Sequence, residues 1–218
     1  MSRHLQIDLE RLERQLILLA GQVEEAVRRA TTTLLEGRMD LGELVIDGDQ
    51  EIDRREVELE DDCLKVLALH QPVATDLRFV AAVLKINNDL ERIGDLAVNI
   101  AERSISLMST TPSPVPSQFR TMMERVASML RRSIRAFVSG DPELAREILE
   151  EDDEVDRLNR DAIKDILARM HESPGEIEAL VQLFSVSKGL ERIGDHATNI
   201  AEDVVYMVEG DIIRHQGG

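Results

Sequence analysis

The sequence predicts an all-α protein: two tandem, pseudo-repeated antiparallel three-helix bundles built from six long helices. Three observations carry this expectation. Asp89–Glu102 (DLERIGDLAVNIAE) recurs as Gly189–Glu202 (GLERIGDHATNIAE), with eleven of fourteen residues identical at an offset of 100, so the chain holds two copies of one unit. Apolar residues recur at steps of three and four over long stretches, the spacing of one helix face. Aromatic residues make up only 2 % of the 218 residues, with no Trp and one Tyr, while hydrophobic residues reach 43 %. A core of Leu, Ile, Val, Ala and Met suits helix-on-helix packing, and the scarcity of Tyr, Phe and Trp argues against a large sheet.

The first helix is expected over 4–36, with Leu5, Leu9, Leu12, Leu16, Leu19 and Val23 on one face and Gly37 as its stop. Asp40, with Glu43 three residues on, reads as a capping box opening the second helix. That helix runs to His70, where Gln71-Pro72 breaks it. Thr75 opens the third, to Met108. Residues 110–117 (TTPSPVPS) hold three of the six prolines and form the linker. The fourth helix spans Gln118 to Ser139 with Gly140 as its stop, and Asp141-Pro142 supplies the fifth with an N-cap and a proline in the first turn. The fifth ends near His171. Ser173-Pro174-Gly175-Glu176 reads as a second capping box, and the sixth helix runs to Glu209 before a short polar tail. Short turns force antiparallel neighbours, so the expected units are residues 1–109 and 118–218, joined by 110–117.

Charge narrows the function classes. The net charge is −17, from 43 acids against 26 bases. Such a surface repels phosphate backbones, which excludes nucleic-acid binding, and attracts cations and basic partner surfaces. A single cysteine, Cys63, rules out an internal disulfide and fits a reducing compartment. The most apolar stretch, residues 16–23, is too short to span a bilayer, and no signal peptide is present. A cytoplasmic protein without membrane insertion is expected.

The duplicated segment carries more than packing requires. With about 100° per residue and Glu91 at zero, Asp95 falls near 40°, Glu102 near 20° and Asn99 near 80°. Ile93, Leu96, Ala97 and Ile100 fall on the opposite side. Asp49, Asp53, Glu56 and Glu60 form a similar strip on the second helix. Asp152, Asp156 and Asn159 form a shorter one on the fifth, cut off at Ile163. Glu191, Asp195, Asn199 and Glu202 repeat the third-helix strip on the sixth. Carboxylates four residues apart repel, so facing strips call for a positive ion. All-oxygen donors suit hard cations: magnesium, calcium, manganese and iron. The plainer reading is a set of solvated helix faces. Arg92 and Arg192 are expected to be salt-bridge partners of the strips. Gly94 and Gly194 are expected to mark close helix approach, each at a cost of about 1 kcal/mol against alanine. His196 points away from the acids and is expected to pack or hydrogen-bond.

LERIGDxAxNIAE in duplicate, together with ATNIAEDVVYMVEGDIIRH over 197–215, resembles the PhoU family of phosphate-signalling regulators, across almost the whole chain. The resemblance implies two three-helix bundles and places the family's acidic motif on Glu91 and Asp95 and on Glu191 and Asp195. Its companion motif falls on Asp49 and Asp53 and on Asp152 and Asp156, and Glu56 of the second-helix strip joins them as an expected metal ligand. It implies that these carboxylates hold metal ions (iron, zinc, manganese, magnesium or calcium). It further implies negative regulation of phosphate-starvation signalling and uptake, with a phosphate ABC transporter and a phosphate-sensing histidine kinase as partners, and a homodimer. Asn159 and Ile163, standing where the first unit has Glu56 and Glu60, argue against equal metal loading of the two units. A carboxylate-bridged metal enzyme or metal-storage bundle is the alternative. It requires Glu-x-x-His, and no histidine here has Glu three residues before it.

Overall fold

Six long helices account for nearly all of the chain, as the periodicity requires. The computed structural model describes residues 3–109 and 113–210. The helices are α1 (Arg3–Glu36), α2 (Met39–His70), α3 (Ala74–Met108), α4 (Gln118–Ser139), α5 (Pro142–Glu172) and α6 (Ile177–Glu209). Residues 110–112 of the linker and the end of the family signature beyond Gly210 lie outside the described residues.

Three helix starts differ from expectation. Residue Arg38, not Asp40, precedes the first turn of α2, with no side-chain cap. Asp40 lies inside that turn, held by Arg38 at 2.7 and 2.8 Å. An arginine two residues away captures the carboxylate that a capping box would turn onto the backbone, though an acid in the first turn still suits the helix dipole. The third helix starts at Ala74 rather than Thr75, after Gln71 adopts left-handed backbone at φ 45. Ser173 opens a 3₁₀ turn (Pro174–Glu176) ahead of α6 instead of a boxed helix start. The Glu176 carboxylate reaches Ser113 at 2.8 Å and Arg169 at 3.0 Å, so the visible end of the linker is tied to the α5–α6 turn. The fifth helix starts as read: Asp141 Oδ1 accepts from the amides of Glu143 and Leu144, both at 3.1 Å.

Each repeat is an antiparallel three-helix unit, but the two share one core. α3 packs on α1 and α2, α6 packs on α4 and α5, and α3 and α6 pack on each other. One apolar cluster runs through both units, from Leu12, Leu16 and Leu19 of α1 to Leu183, Leu190 and Val204 of α6. The helices that carry the duplicated segment are thus the two at the centre. Their antiparallel course is marked by Arg78 donating to the Met207 carbonyl at 3.1 Å, Lys85 to Asp203 at 2.9 Å and Arg103 to Gln182 at 3.4 Å.

Of the glycines that recur in both repeats, Gly94 sits at a close approach, as expected, while Gly194 leaves room for an ordinary contact. A Cβ on Gly94 would meet Ile52 of α2 at 3.3 Å, and one on Gly194 would meet Val155 of α5 at 3.5 Å. These contacts bring α2 onto α3, and α5 onto α6, at the level of the acidic strips. No helix among the described residues is long and apolar enough to cross a membrane.

Candidate functional site

The acids of α2 and α3 converge. Asp49, Glu56, Glu91 and Asp95 are half-buried between the two helices, while Asp53 is exposed at the rim. Partial burial raises the Asp49 carboxyl above its ordinary range, and the charges of Asp53, Asp95 and Glu102 raise it further. Burial likewise raises Glu91, with Asp95 adding to the shift and Arg92 opposing it. Glu56 is raised by burial and by Glu60 and Asp53. One oxygen in this seam, Asp49 Oδ1, is buried without a hydrogen-bond donor, and a second, Glu91 Oε2, is buried with only an ion pair to Arg92 Nε at 3.3 Å. Buried acceptors left without donors are costly, and a cation would supply what they lack. Arg92 fills its expected role in part, lying 3.3 Å from both Asp95 and Glu91. Asn99 turns away, its amide donating to the Asp95 carbonyl at 2.9 Å.

The face on α5 and α6 is built on the same plan and neutralised differently. Burial pushes the Asp152 carboxyl up to about 6, helped by Asp195, Asp156, Asp153 and Glu191. Asp195 is also raised, by desolvation and then by Glu191 and Asp156. Glu191, however, already has partners: Lys188 Nζ at 2.5 Å and Asn159 Nδ2 at 3.2 Å. Asn159 Oδ1 accepts from Ser187 at 2.8 Å. Asp156 lies 3.4 Å from Arg160. The cation beside Glu191 is thus Lys188, whereas Arg192 is exposed and makes no ion pair among the described residues.

All nine predicted metal-site residues therefore fall on two seams, five on α2/α3 and four on α5/α6. The seams are not closed coordination spheres. No three His, Cys, Asp or Glu groups among the described residues lie close enough to enclose one ion. Like charge holds the carboxylates apart, and a bound ion would have to draw them in. The oxygen-only donors and the orphaned Asp49 Oδ1 fit a hard cation on the α2/α3 seam better than on the α5/α6 seam.

The strips also extend beyond their own units. Glu56 and Glu60 of α2, Lys85 and Asp89 of α3, and Asn199 and Glu202 of α6 line a groove of about 660 Å³ where the two repeats meet. Beside it, His196 Nδ1 lies 2.7 Å from Asp89 Oδ1, which also accepts from Asn199 at 3.3 Å. Sequence reading missed Asp89 and Lys188. The signal was the pattern of mismatches: among fourteen aligned positions only 89/189, 96/196 and 98/198 differ, and Asp89 and His196 touch across α3 and α6.

Comparison with known proteins fits this arrangement. The family model of the PhoU domain matches twice, over residues 16–104 and 119–204. The chain belongs to the PhoU family. Among curated relatives, a phosphate-specific transport system accessory protein PhoU homolog of Pseudomonas putida is 35 % identical over the whole chain and 85 % of that protein. One from Aquifex aeolicus is 40 % identical over 96 % of this chain and 95 % of its own length. Among solved structures, PhoU from Pseudomonas aeruginosa superposes with a TM-score of 0.91 at 34 % identity, covering 94 % of this chain and 99 % of that one. The phosphate transport system regulatory protein PhoU from Streptococcus pneumoniae gives 0.89 at 28 %, covering 96 % and 99 %. The two PhoU-domain matches contain both acidic seams entire.

Proposed function

We propose that this chain is a non-catalytic accessory regulator of a phosphate transport system. It keeps phosphate-starvation signalling off when phosphate is plentiful and restrains high-affinity uptake. It does so from the cytoplasm, by docking onto the phosphate ABC transporter and its phosphate-sensing histidine kinase, and works as a homodimer. The observation that supports this reading is membership of the PhoU family over both repeats, with relatives of near-equal length named for the accessory role.

Within this reading the carboxylate seams are cation sites. Asp49, Asp53, Glu56, Glu91 and Asp95 would hold metal in the first unit, and Asp152, Asp156, Glu191 and Asp195 in the second. A bound cation supplies positive charge and nothing redox is asked of it. The residues themselves set how firmly α2 is held to α3, and α5 to α6, because ionised carboxylates across each seam repel. The orphaned Oδ1 of Asp49 favours this over a purely solvated strip.

Deleting the gene tests the regulatory role. Phosphate-starvation promoters should switch on in phosphate-replete cells and switch off again when the gene is restored. Starvation-gene expression that stays silent in the deletion strain would remove the regulatory reading.

A further inference from the structure

Six glycines lie inside the α-helices, and four have neighbours packed against them. Added Cβ atoms at Gly42, Gly94, Gly189 and Gly194 would meet neighbours at 2.9, 3.3, 3.2 and 3.5 Å. Gly21 and Gly48 meet nothing within 4 Å, yet each weakens its helix relative to alanine. Both line one groove of about 440 Å³ between α1 and α2, with Leu18, Leu44, Val45 and Ile52. Leu18 is 59 % exposed and Leu44 51 %, so the rim offers apolar contacts, with Gln22, Glu25, Arg29 and Glu51 completing the lining.

The second repeat closes the same seam. Its α4 and α5 align with α1 and α2 at an offset of 103, fixed by the terminating glycines Gly37 and Gly140 and by Asp49 against Asp152. In that register Glu124, Arg125 and Glu151 stand at the places of Gly21, Gln22 and Gly48. Arg125 reaches Glu154 at 2.8 Å, and Arg132 reaches Glu147 at 2.7 Å and also Glu151, all from α4 to α5. In the first repeat Arg29, the counterpart of Arg132, turns back to Glu25 of its own helix at 2.6 Å. Glu51, the counterpart of Glu154, is taken by Arg54 and Arg55 of its own helix at 2.6 and 2.7 Å. At this level the seam is latched in the second repeat and left open in the first, where α1 and α2 are tied only farther along, by Arg11 and Gln15 to Asp62 at 2.8 and 3.1 Å and by Asp8 to His70 at 2.8 Å.

We propose that the α1–α2 groove receives one amphipathic helix of a protein partner, with Leu- or Met-type side chains inserted between Leu18 and Leu44 and Lys or Arg on its flanks. The groove follows α1 from Leu18 to Arg29, about three turns, which suits an elongated helix better than a compact ligand. Basic flanks follow from charge. On the α2 side Glu43 and Asp47 are exposed and make no ion pair among the described residues. Gln22 Oε1 is buried without a donor, and the chain as a whole carries −17. This deepens the accessory reading and rests on it for the existence of a protein partner.

The test uses the full chain and a fluorescein-labelled synthetic helix with Leu at i, i+3, i+4 and i+7 and Lys at its flanks, followed by fluorescence anisotropy at fixed salt. Gly21→Leu/Gly48→Leu fills the groove without changing charge, at positions of ordinary helical backbone with open space, and its melting temperature verifies that it folds. Affinity should fall by roughly tenfold or more in this variant. It should also collapse when the peptide's Lys residues are replaced by Glu. Equal affinity for the filled and unfilled proteins overturns the proposal. So does sedimentation showing that filling the groove converts a dimer to a monomer, which would assign the slot to a second copy. In cells, phosphate control lost on deletion but intact in the filled variant overturns the groove and leaves the accessory reading standing. A silent deletion strain overturns the accessory reading alone, because the peptide titration is read independently of it.

Discussion

Asp152 illustrates how a single residue reports the state of its seam. Burial and four neighbouring acids push its carboxyl from 3.8 to about 6. The folded chain therefore holds this proton at a pH where the unfolded chain has lost it. Stability contributed by the protonated group is present below about pH 4 and is lost as pH rises through about 6. Asp152→Asn removes that segment of the pH dependence. In thermal melts between about pH 4 and pH 7 the variant should lose less melting temperature on the alkaline side than the parent. Identical slopes would mean that the seam relaxes when charged. Glu25 and Glu51 behave in the opposite sense, each held down at about 2 by hydrogen bonds from two arginines, Arg28 and Arg29 in one case and Arg54 and Arg55 in the other. Helical spacing alone made the acids of both seams legible. The neutralising partners are less so, because Asn159 reaches Glu191 from another helix and nothing in the sequence sets Lys188 apart from other bases.

At the scale of elements, the α3–α6 pair decides how the repeats combine. The helices themselves were readable from proline, glycine and apolar spacing, and Gly140-Asp141-Pro142 was read correctly residue by residue. Two predicted caps failed because a competing side chain intervened, Arg38 at Asp40 and Arg169 with Ser113 at Glu176. That both repeats share one core was not legible, since nothing local states which faces of α3 and α6 meet. Asp89 and His196 mark that contact, at 12 % and 24 % side-chain exposure. Replacing His196 with Leu, the residue at position 96, leaves Asp89 with Asn199 alone. It should destabilise the protein by about 1–3 kcal/mol in urea unfolding. Asp89→Gly, the residue at position 189, should cost less in the His196→Leu background than in the parent, a coupling of about 0.5–3 kcal/mol. Additive losses would show that the pair contributes packing and no specific bond.

For the whole molecule, the two repeats share a plan and divide its uses. The first keeps an orphaned carboxylate oxygen on Asp49 and an unlatched α1–α2 groove; the second answers its acids with Lys188 and Asn159 and ties α4 to α5 at the matching level. Metal stoichiometry should follow that division. Elemental analysis of protein purified without affinity tags should show a larger loss of bound ions in Glu91→Gln/Asp95→Asn than in Glu191→Gln/Asp195→Asn. Equal losses would count against unequal seams, and metal-free parent protein would count against both.

The α3–α6 contact has one more consequence. Residues 89 and 196 face each other, and the repeat places 189 and 96 at the mirrored spot, where Gly189 and Leu96 stand. A self-pairing unit with two-fold symmetry would have to make both spots alike, since each copy of one sequence would present the same residues to the other. Joining the copies in one polypeptide lifts that restriction. One half of the contact can hold an acid–imidazole bridge while the other half stays apolar. The tandem arrangement thus leaves the two repeats free to differ, and the open groove on one side with ion pairs on the other is the same freedom expressed at the periphery.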